Sequence, residues 1–540
     1  MKRLSLSLLS LALAGSLTAC GNTNKSQTDF TMAMGEDISS FDSASIADGG
    51  SIQVIKAATE GLMSHGKNGE TINGLAKSVE TSKDGKTYTF HLRDAKWSNG
   101  TVIKADDFVY GFQRIFKVSG PYIYMFGSAG ANIVNADKLM GEALSKKLTD
   151  KDLKTLGITA KDDKTVVIKL TKPVPYFKQL MTFTCFRPIN RAFALKQGKN
   201  YGQNPKAYLS NGPFKLVSWV KGSKAEFEKN NTYYNAKNIK IDHLTINLAQ
   251  TAQAAAAGYE NGKVDMFFPT SSVLDKYKNK KGFSSYNTGF EYYLLPNLKN
   301  KALANKNIRQ AVSYAINRDD FAKSILKDGS TAATGFVPSG VATSPKKVDF
   351  RKDAGDYKVF TYNQAKAQKA LNKGLKQLGK KAITLRVLYG TDETLMNQFA
   401  TYVQNSLSKL KGLKVEVVAT TKQDRVNNRQ KNGDFDLSCT RWGPDYADPT
   451  TYLNLLVSSN GDNYGHYVSK AYDANMNKAY NTRNVNKRWK ALVSAEKVAM
   501  NDLAVIPVFN QGGAQMINPK FGGIYTKPMV GTIFNYAYLK

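Results

Sequence analysis

The segment CTRWGPDYADPTTYL, residues 439–453, sets Asp445 among Trp442, Tyr446 and Tyr452, with Arg441 and Gly443 beside it and prolines at 444 and 449. A carboxylate surrounded by aromatic rings suits two roles. It can be a packed surface loop, or it can be a pocket wall that holds a cation, because ring faces attract positive charge and the carboxylate supplies the counter-ion. Little else in the chain competes as chemistry. No HExxH, paired CxxC or GxSxG is present. The four histidines (65, 91, 243 and 466) are scattered, which argues against a histidine-rich metal site. GLKQLGKK (374–381) approaches a phosphate-binding P-loop, but Lys381 stands where Ser or Thr is needed, and the segment ends a helix instead of following a strand. Asp106 and Asp107 read as charges in the first turn of a helix. No nucleophile, base and orienter assemble, so the residues favour binding over catalysis and imply neither cofactor nor metal.

The elements that must position Asp445 are legible upstream of it. AITLRVLYG (382–390), LKVEVVAT (413–420) and FDLSCTRW (435–442) read as strands, separated by helices over 393–410 and 421–431. This βαβαβ order implies parallel strands with right-handed crossovers. Ligands of open α/β sheets bind beyond the carboxyl ends of the strands, and Asp445 follows the last of these. Helices are also expected over 305–326 and 363–379. The first half is strand-rich and mixed. KTYTFHLRDAKWSNG (86–100) alternates as a half-buried strand that ends in an Asn99-Gly100 turn, and a helix follows over 104–116. KTVVIKL (164–170) and IDHLTINLA (241–249) are strands, and residues 211–220 with 225–230 form a hairpin.

The chain has 540 residues, too many for one core, and a formal charge of +33 carried mostly by dispersed lysines. That charge reads as a solvated basic surface or as attraction to an anionic one such as a cell wall or lipid headgroups; no compact basic block marks a nucleic-acid partner. Residues 1–19 combine Lys2 and Arg3 with an apolar run too short to span a membrane, which is an export signal. LTAC (17–20) resembles the lipobox of bacterial lipoproteins, so Cys20 is expected to be lipidated, with 20–29 as a polar tether. The remaining cysteines, Cys185 and Cys439, are expected to be single buried thiols.

YTFHLRDAKWSNGTVIKADDFVYGFQRI (88–115) closely resembles the signature of the extracytoplasmic solute-binding proteins of peptide/nickel ABC importers. The resemblance continues, in order, through PVPYF (173–177), SNGPFKL (210–216), IRQAVSYAINRD (308–319), residues 435–454 and VIPVFN (505–510). It implies an α/β, three-lobed type II (cluster C) periplasmic-binding-protein-like fold with the ligand between two α/β lobes, I and III, which close by hinge motion. Lobe I would be 30–58, 183–292 and 512–540; lobe II 59–182; lobe III 293–511. Oligopeptide binders of this kind pair an Asp in a W-x-x-D-Y segment with the peptide α-ammonium, which implies that role for Asp445, with Trp442 and Tyr446 as its walls. Tyr122 or Tyr124, Phe509 and Asn510 resemble cleft-lining positions, and Phe509 stands where related receptors often have Tyr. Arg441 would be solvent-exposed or would meet a ligand carboxylate.

The resulting expectation is a monomeric, lipid-anchored receptor that hands oligopeptides to an ABC permease and its ATPase and performs no chemistry. A same-fold receptor for a signalling peptide or a nickel chelate, an exported adhesin and an exported enzyme are the rivals. The scarcity of histidine counts against nickel, and the missing catalytic constellation counts against an enzyme.

Overall fold

The computed structural model describes residues 28–540 except 47, 271, 272, 394 and 529, so the export signal and Cys20 lie outside the described residues. Within this span the chain builds three hydrophobic cores of substantial size. The first joins residues near the N-terminus to 189–248 and 521–537. The second is assembled from residues 44–209 plus Tyr446. The third is made entirely from residues 292–509.

The parallel strands of the third core lie as the sequence predicts. Ile383–Gly390, Leu413–Thr420 and Leu437–Trp442 are strands, and the first pairs in parallel with both others. The strand order reverses around Ile383–Gly390, the kind of point beyond which open α/β sheets place their ligands. Helix Met396–Leu407 buries Phe399, Ala400, Val403 and Leu407 against these strands. The predicted helix over 421–431 is a short α-turn followed by a π-segment, Arg425–Gln430.

Two long strands, Phe283–Pro296 and Ile506–Ile517, were not evident in the sequence. They pair antiparallel with each other and connect the parallel strands to Met266–Phe267, Asp29–Ala33, His243–Asn247 and the predicted hairpin, Phe214–Val220 with Lys224–Lys229. The result is one eleven-stranded sheet shared by the first and third cores. Its register breaks in two places along the long strands, between Asn287 and Glu291 and between Tyr292 and Tyr293. Gly289, at φ +86°, sits in the first break, a conformation that residues with a Cβ rarely adopt. In the first core the first and last described segments meet: the Phe30 ring packs on Phe521 at 4.9 Å and on Phe534 at 5.8 Å.

The second core carries a separate four-stranded antiparallel sheet, Ala76–Thr81, Thr87–Leu92, Thr165–Lys169 and Ile158–Asp162 in spatial order 1-2-4-3 by sequence. The signature segment earns a structural explanation here. Trp97 is fully buried, and its indole Nε1 donates to Asp107 Oδ2 at 3.0 Å. Asp107 also accepts from the Lys104 amide at 3.1 Å, which caps helix Ala105–Lys117. Asp107 is thus more than a dipole charge; it bolts the turn, the helix and residue 191 together.

The continuous helix expected over 305–326 is interrupted. Lys306–Ala315 ends at Ile316, and Asn317 caps a new short helix through its side chain, accepting from the Asp320 amide at 3.2 Å. The break frees the Ser313 and Ile316 carbonyls, and the buried Arg318 guanidinium donates to both as well as to the Phe360 and Pro507 carbonyls. Cys185 and Cys439 are both buried and unpaired, and burial pushes both thiols up. Among the described residues no helix is long and apolar enough to cross a membrane, and no cluster of three metal-ligating side chains occurs.

Candidate functional site

Strand Leu437–Trp442 delivers the chain to a loop that starts at Gly443. Gly443 lies flat on Phe290, where a Cβ would come within 2.4 Å of the ring. The loop is then anchored twice. The Asp445 amide donates to Thr451 Oγ1 at 3.0 Å, and Asp448 is gripped by Arg488 through bonds of 2.7 and 2.8 Å. The two carboxylates of this loop therefore differ in kind. Asp448 is buried and ion-paired. Asp445 is half-buried, and among the described residues no cation lies within ion-pair distance of it; its partner is the Tyr124 hydroxyl, which donates to Oδ1 at 3.1 Å. Burial, opposed by the Tyr124 bond and reinforced by the charge of Asp462, pushes the Asp445 carboxyl up to about 6.

Asp445 lines a cavity of about 50 Å³ together with His65, Gly69, Thr71, Gln179, Phe183 and Tyr446, among others. That volume holds one or two waters, so in this conformation the site is nearly closed. The second core supplies the opposite wall. Tyr122 packs edge-on to Phe183 at 4.9 Å, and burial with the nearby Asp445 charge pushes its hydroxyl up to about 12. His65 was not singled out from the sequence. Burial and the charges of Lys56 and Arg187 hold its imidazole down at about 3, so it faces the cavity neutral, with a buried Nδ1 that has no hydrogen-bond partner. Gln179 Oε1 on the same wall is likewise unsatisfied. Both atoms are buried without a partner in residues that line the cavity.

The expected residues divide. Tyr124 and Asp445 come together directly, and Tyr122 stands behind them. Tyr446 lines the cavity, but its ring is stacked on Tyr176 at 4.3 Å with 4° between planes, so it fastens the third core's loop into the second core as much as it walls Asp445. Tyr176 belongs to PVPYF, a signal visible in the sequence but not read as a partner. Trp442 is half-buried, is not among the cavity-lining residues, and faces Glu291 across the sheet; its Nε1 is buried without an acceptor. Phe509 is not cleft-lining. It is fully buried, stacked on Tyr292 at 4.3 Å and flanked by Phe321 and Phe399, an apolar setting in which a tyrosine hydroxyl would need a partner. Asn510 is buried in the sheet and donates to Glu291 Oε2. Arg441 is half-buried. Its guanidinium lies 4.7 Å from the Phe290 ring centre, donates to the Tyr292 hydroxyl at 3.1 Å and approaches Glu393 at 3.8 Å. Glu393 is held in turn by the buried Arg425, which also donates to Thr440 Oγ1 at 2.7 Å. The group thus braces the strand that carries the loop.

Such an arrangement can hold a cation, and among the described residues that line it no nucleophile stands with a base. Comparison with known proteins agrees. A dipeptide-binding protein of Lactococcus lactis subsp. cremoris is 32% identical over 541 residues, covering 95% of each chain. The periplasmic oligopeptide-binding protein OppA of Escherichia coli is 27% identical over 542 residues, covering 98% of this chain and 95% of its own. The structure of Listeria monocytogenes OppA bound to peptide superposes with a TM-score of 0.73 at 30% identity, over 95% of this chain and 99% of that one. The family model of bacterial extracellular solute-binding proteins, family 5, matches residues 70–464. The chain belongs to that family, whose members are extracytoplasmic solute-binding proteins and not enzymes.

Proposed function

We propose that this protein is a receptor that captures extracellular oligopeptides and delivers them to an ABC permease, held at the outer face of the cell membrane by lipid on Cys20. The observation that carries the ligand class is Asp445, a half-buried carboxylate without a protein cation, aimed into a cavity between the second and third cores. A peptide's α-ammonium is the counter-ion it lacks. Such a charge-assisted hydrogen bond contributes about 1.5–3 kcal/mol, more of which survives once closure excludes water. The peptide-binding relatives support the reading. In this reading residues 30–58, 183–292 and 512–540 form one lobe, 59–182 a second and 293–511 a third. The two long strands shared by the first and third lobes are where closure bends, with Gly289 and the adjacent bulges giving the freedom.

Two measurements test this. Mass spectrometry of ligands released from the denatured protein should find peptides, and their lengths give the size preference. In calorimetry, Asp445→Ala should weaken binding of peptides with a free amino terminus by roughly 10- to 150-fold, the range that the bond's energy implies. Unchanged affinity would remove Asp445 from the site.

A further inference from the structure

The formal charge of the chain is not evenly distributed. Residues 357–391 contain seven lysines and one arginine and no aspartate or glutamate. Most of this stretch is the helix Gln364–Leu378, which buries Ala367, Leu371, Gly374 and Leu375. Gly374 lets the helix sit tightly on Lys306–Ala315, since a Cβ there would come within 2.5 Å of Ile308. With that face committed to the core, the outer face is fixed. Lys366, Lys369, Lys373, Lys376 and Lys380 follow one another at spacings of 3, 4, 3 and 4 residues, and all are exposed. At a rise of about 1.5 Å per residue they form a stripe about 20 Å long.

The stripe broadens sideways. The Gln368 side chain donates to the Lys411 carbonyl at 2.9 Å and accepts from the Lys411 amide at 2.8 Å, which pins the loop carrying exposed Lys409 and Lys411 beside the helix. Lys381 continues it past the helix end. Among the described residues, none of these eight lysines has a carboxylate within ion-pair distance. Lysines just outside the patch do, as with Lys306 and Asp502 or Lys414 and Glu416. Like charges five to six ångströms apart on one helix face repel, so the patch costs stability that the fold does not need to spend. A solvated surface gives no reason for the regular spacing or for the exclusion of acids.

We propose that this face of the third core docks on an anionic membrane surface. The patch extends sideways from the helix stripe to the pinned loop, a spread of positive charge that suits the flat phosphate array of lipid headgroups. Because the apolar face of the helix is already buried, adsorption is electrostatic, without insertion, and strongly salt-dependent. The proposal does not depend on the peptide reading.

The test uses residues 28–540, which build all three cores and omit the signal and Cys20. Co-sedimentation is measured in about 50 mM salt with vesicles of equal phosphatidylglycerol and phosphatidylcholine, and with pure phosphatidylcholine. The protein should bind only the anionic vesicles. Neutralising the stripe (K366Q, K369Q, K373Q, K376Q and K380Q together) should lower the partition coefficient by roughly 1,000-fold or more, in keeping with the pull that each basic residue near such a surface exerts. A control variant removes as many exposed lysines from the second core (K147Q, K151Q, K154Q, K161Q and K178Q) and should bind within about threefold of the unmodified chain, a residue of long-range charge. Both variants should retain the circular dichroism of the parent and melt no lower than it does, the stripe variant slightly higher as its repulsion is removed. Equal loss in the two variants would make net charge the only cause and overturn the docking face, as would the absence of vesicle binding. Soluble polyphosphate that displaces the protein from vesicles at matched phosphate concentration, and binds it as tightly through the same lysines, would overturn the lipid assignment.

Discussion

At the scale of residues, the loop after Leu437–Trp442 shows two aspartates three positions apart with opposite fates. Asp448 is neutralised by Arg488, forty residues downstream, so Arg488→Met should cost about 3–5 kcal/mol in urea unfolding by leaving a buried charge alone. Asp445 has no such partner, and its carboxyl is raised to about 6 from an unfolded value near 3.9. The native state therefore binds the proton more tightly than the unfolded chain does. The stability tied to it is complete below about pH 4 and is lost as pH rises through 6. Asp445→Asn should accordingly stabilise the ligand-free protein by about 1–2 kcal/mol at pH 7.5 and give no gain at pH 4, measured by urea unfolding at both values. Under the proposed function the same proton competes with the ligand. Affinity for peptides with a free amino terminus should fall as pH drops below 6, and an amino-acetylated peptide should show no such step in calorimetry. The candidacy of Asp445 was legible in the sequence because it follows a parallel strand. The identity of its protein partner was not, because Tyr124 lies 321 residues away and only the tertiary fold brings it near. Phe509 and Asn510 misled for a related reason: their strand was not read, so the face each presents could not be assigned.

At the scale of elements, the strands and helices with strong periodicity were legible to within a few residues, from Thr87–Leu92 to Gln364–Leu378. The two long central strands were not. Phe283–Pro296 mixes serines, a mid-strand glycine and an apolar end, so it carries neither a clean alternation nor a continuous apolar run. Residues 305–326 erred in the other direction, since apolar spacing runs straight through a break that Asn317 and the buried Arg318 impose. The bulges of the central strands also yield a prediction. Gly289→Ala places a Cβ at φ +86° and within 2.8 Å of Pro444 Cγ. The substitution should cost about 1–3 kcal/mol in urea unfolding, and because Pro444 adjoins Asp445 it should weaken peptide binding as well. A variant of normal stability and normal affinity would show that this turn tolerates a side chain and does not hold the loop.

At the scale of the whole molecule, Tyr446 is the one residue beyond 209 among the buried members of the second core, so it ties that core to the loop of the third. Replacing it by alanine removes the stacked pair with Tyr176, which should cost about 3–5 kcal/mol. Calorimetry of Tyr446→Ala should resolve two transitions where the parent shows one, while Tyr446→Phe, which keeps the stack, should retain a single transition. The meeting of the first and last described segments has a consequence of another kind. Phe30 needs Phe521 and Phe534, and the long strand Phe283–Pro296 needs Ile506–Ile517, before the first core is sealed. A ribosome releases Ile506–Ile517, Phe521 and Phe534 long after Phe30 and Phe283–Pro296. The first core therefore cannot close before Ile506–Ile517, Phe521 and Phe534 have been made, so the order of synthesis itself keeps the growing chain extended.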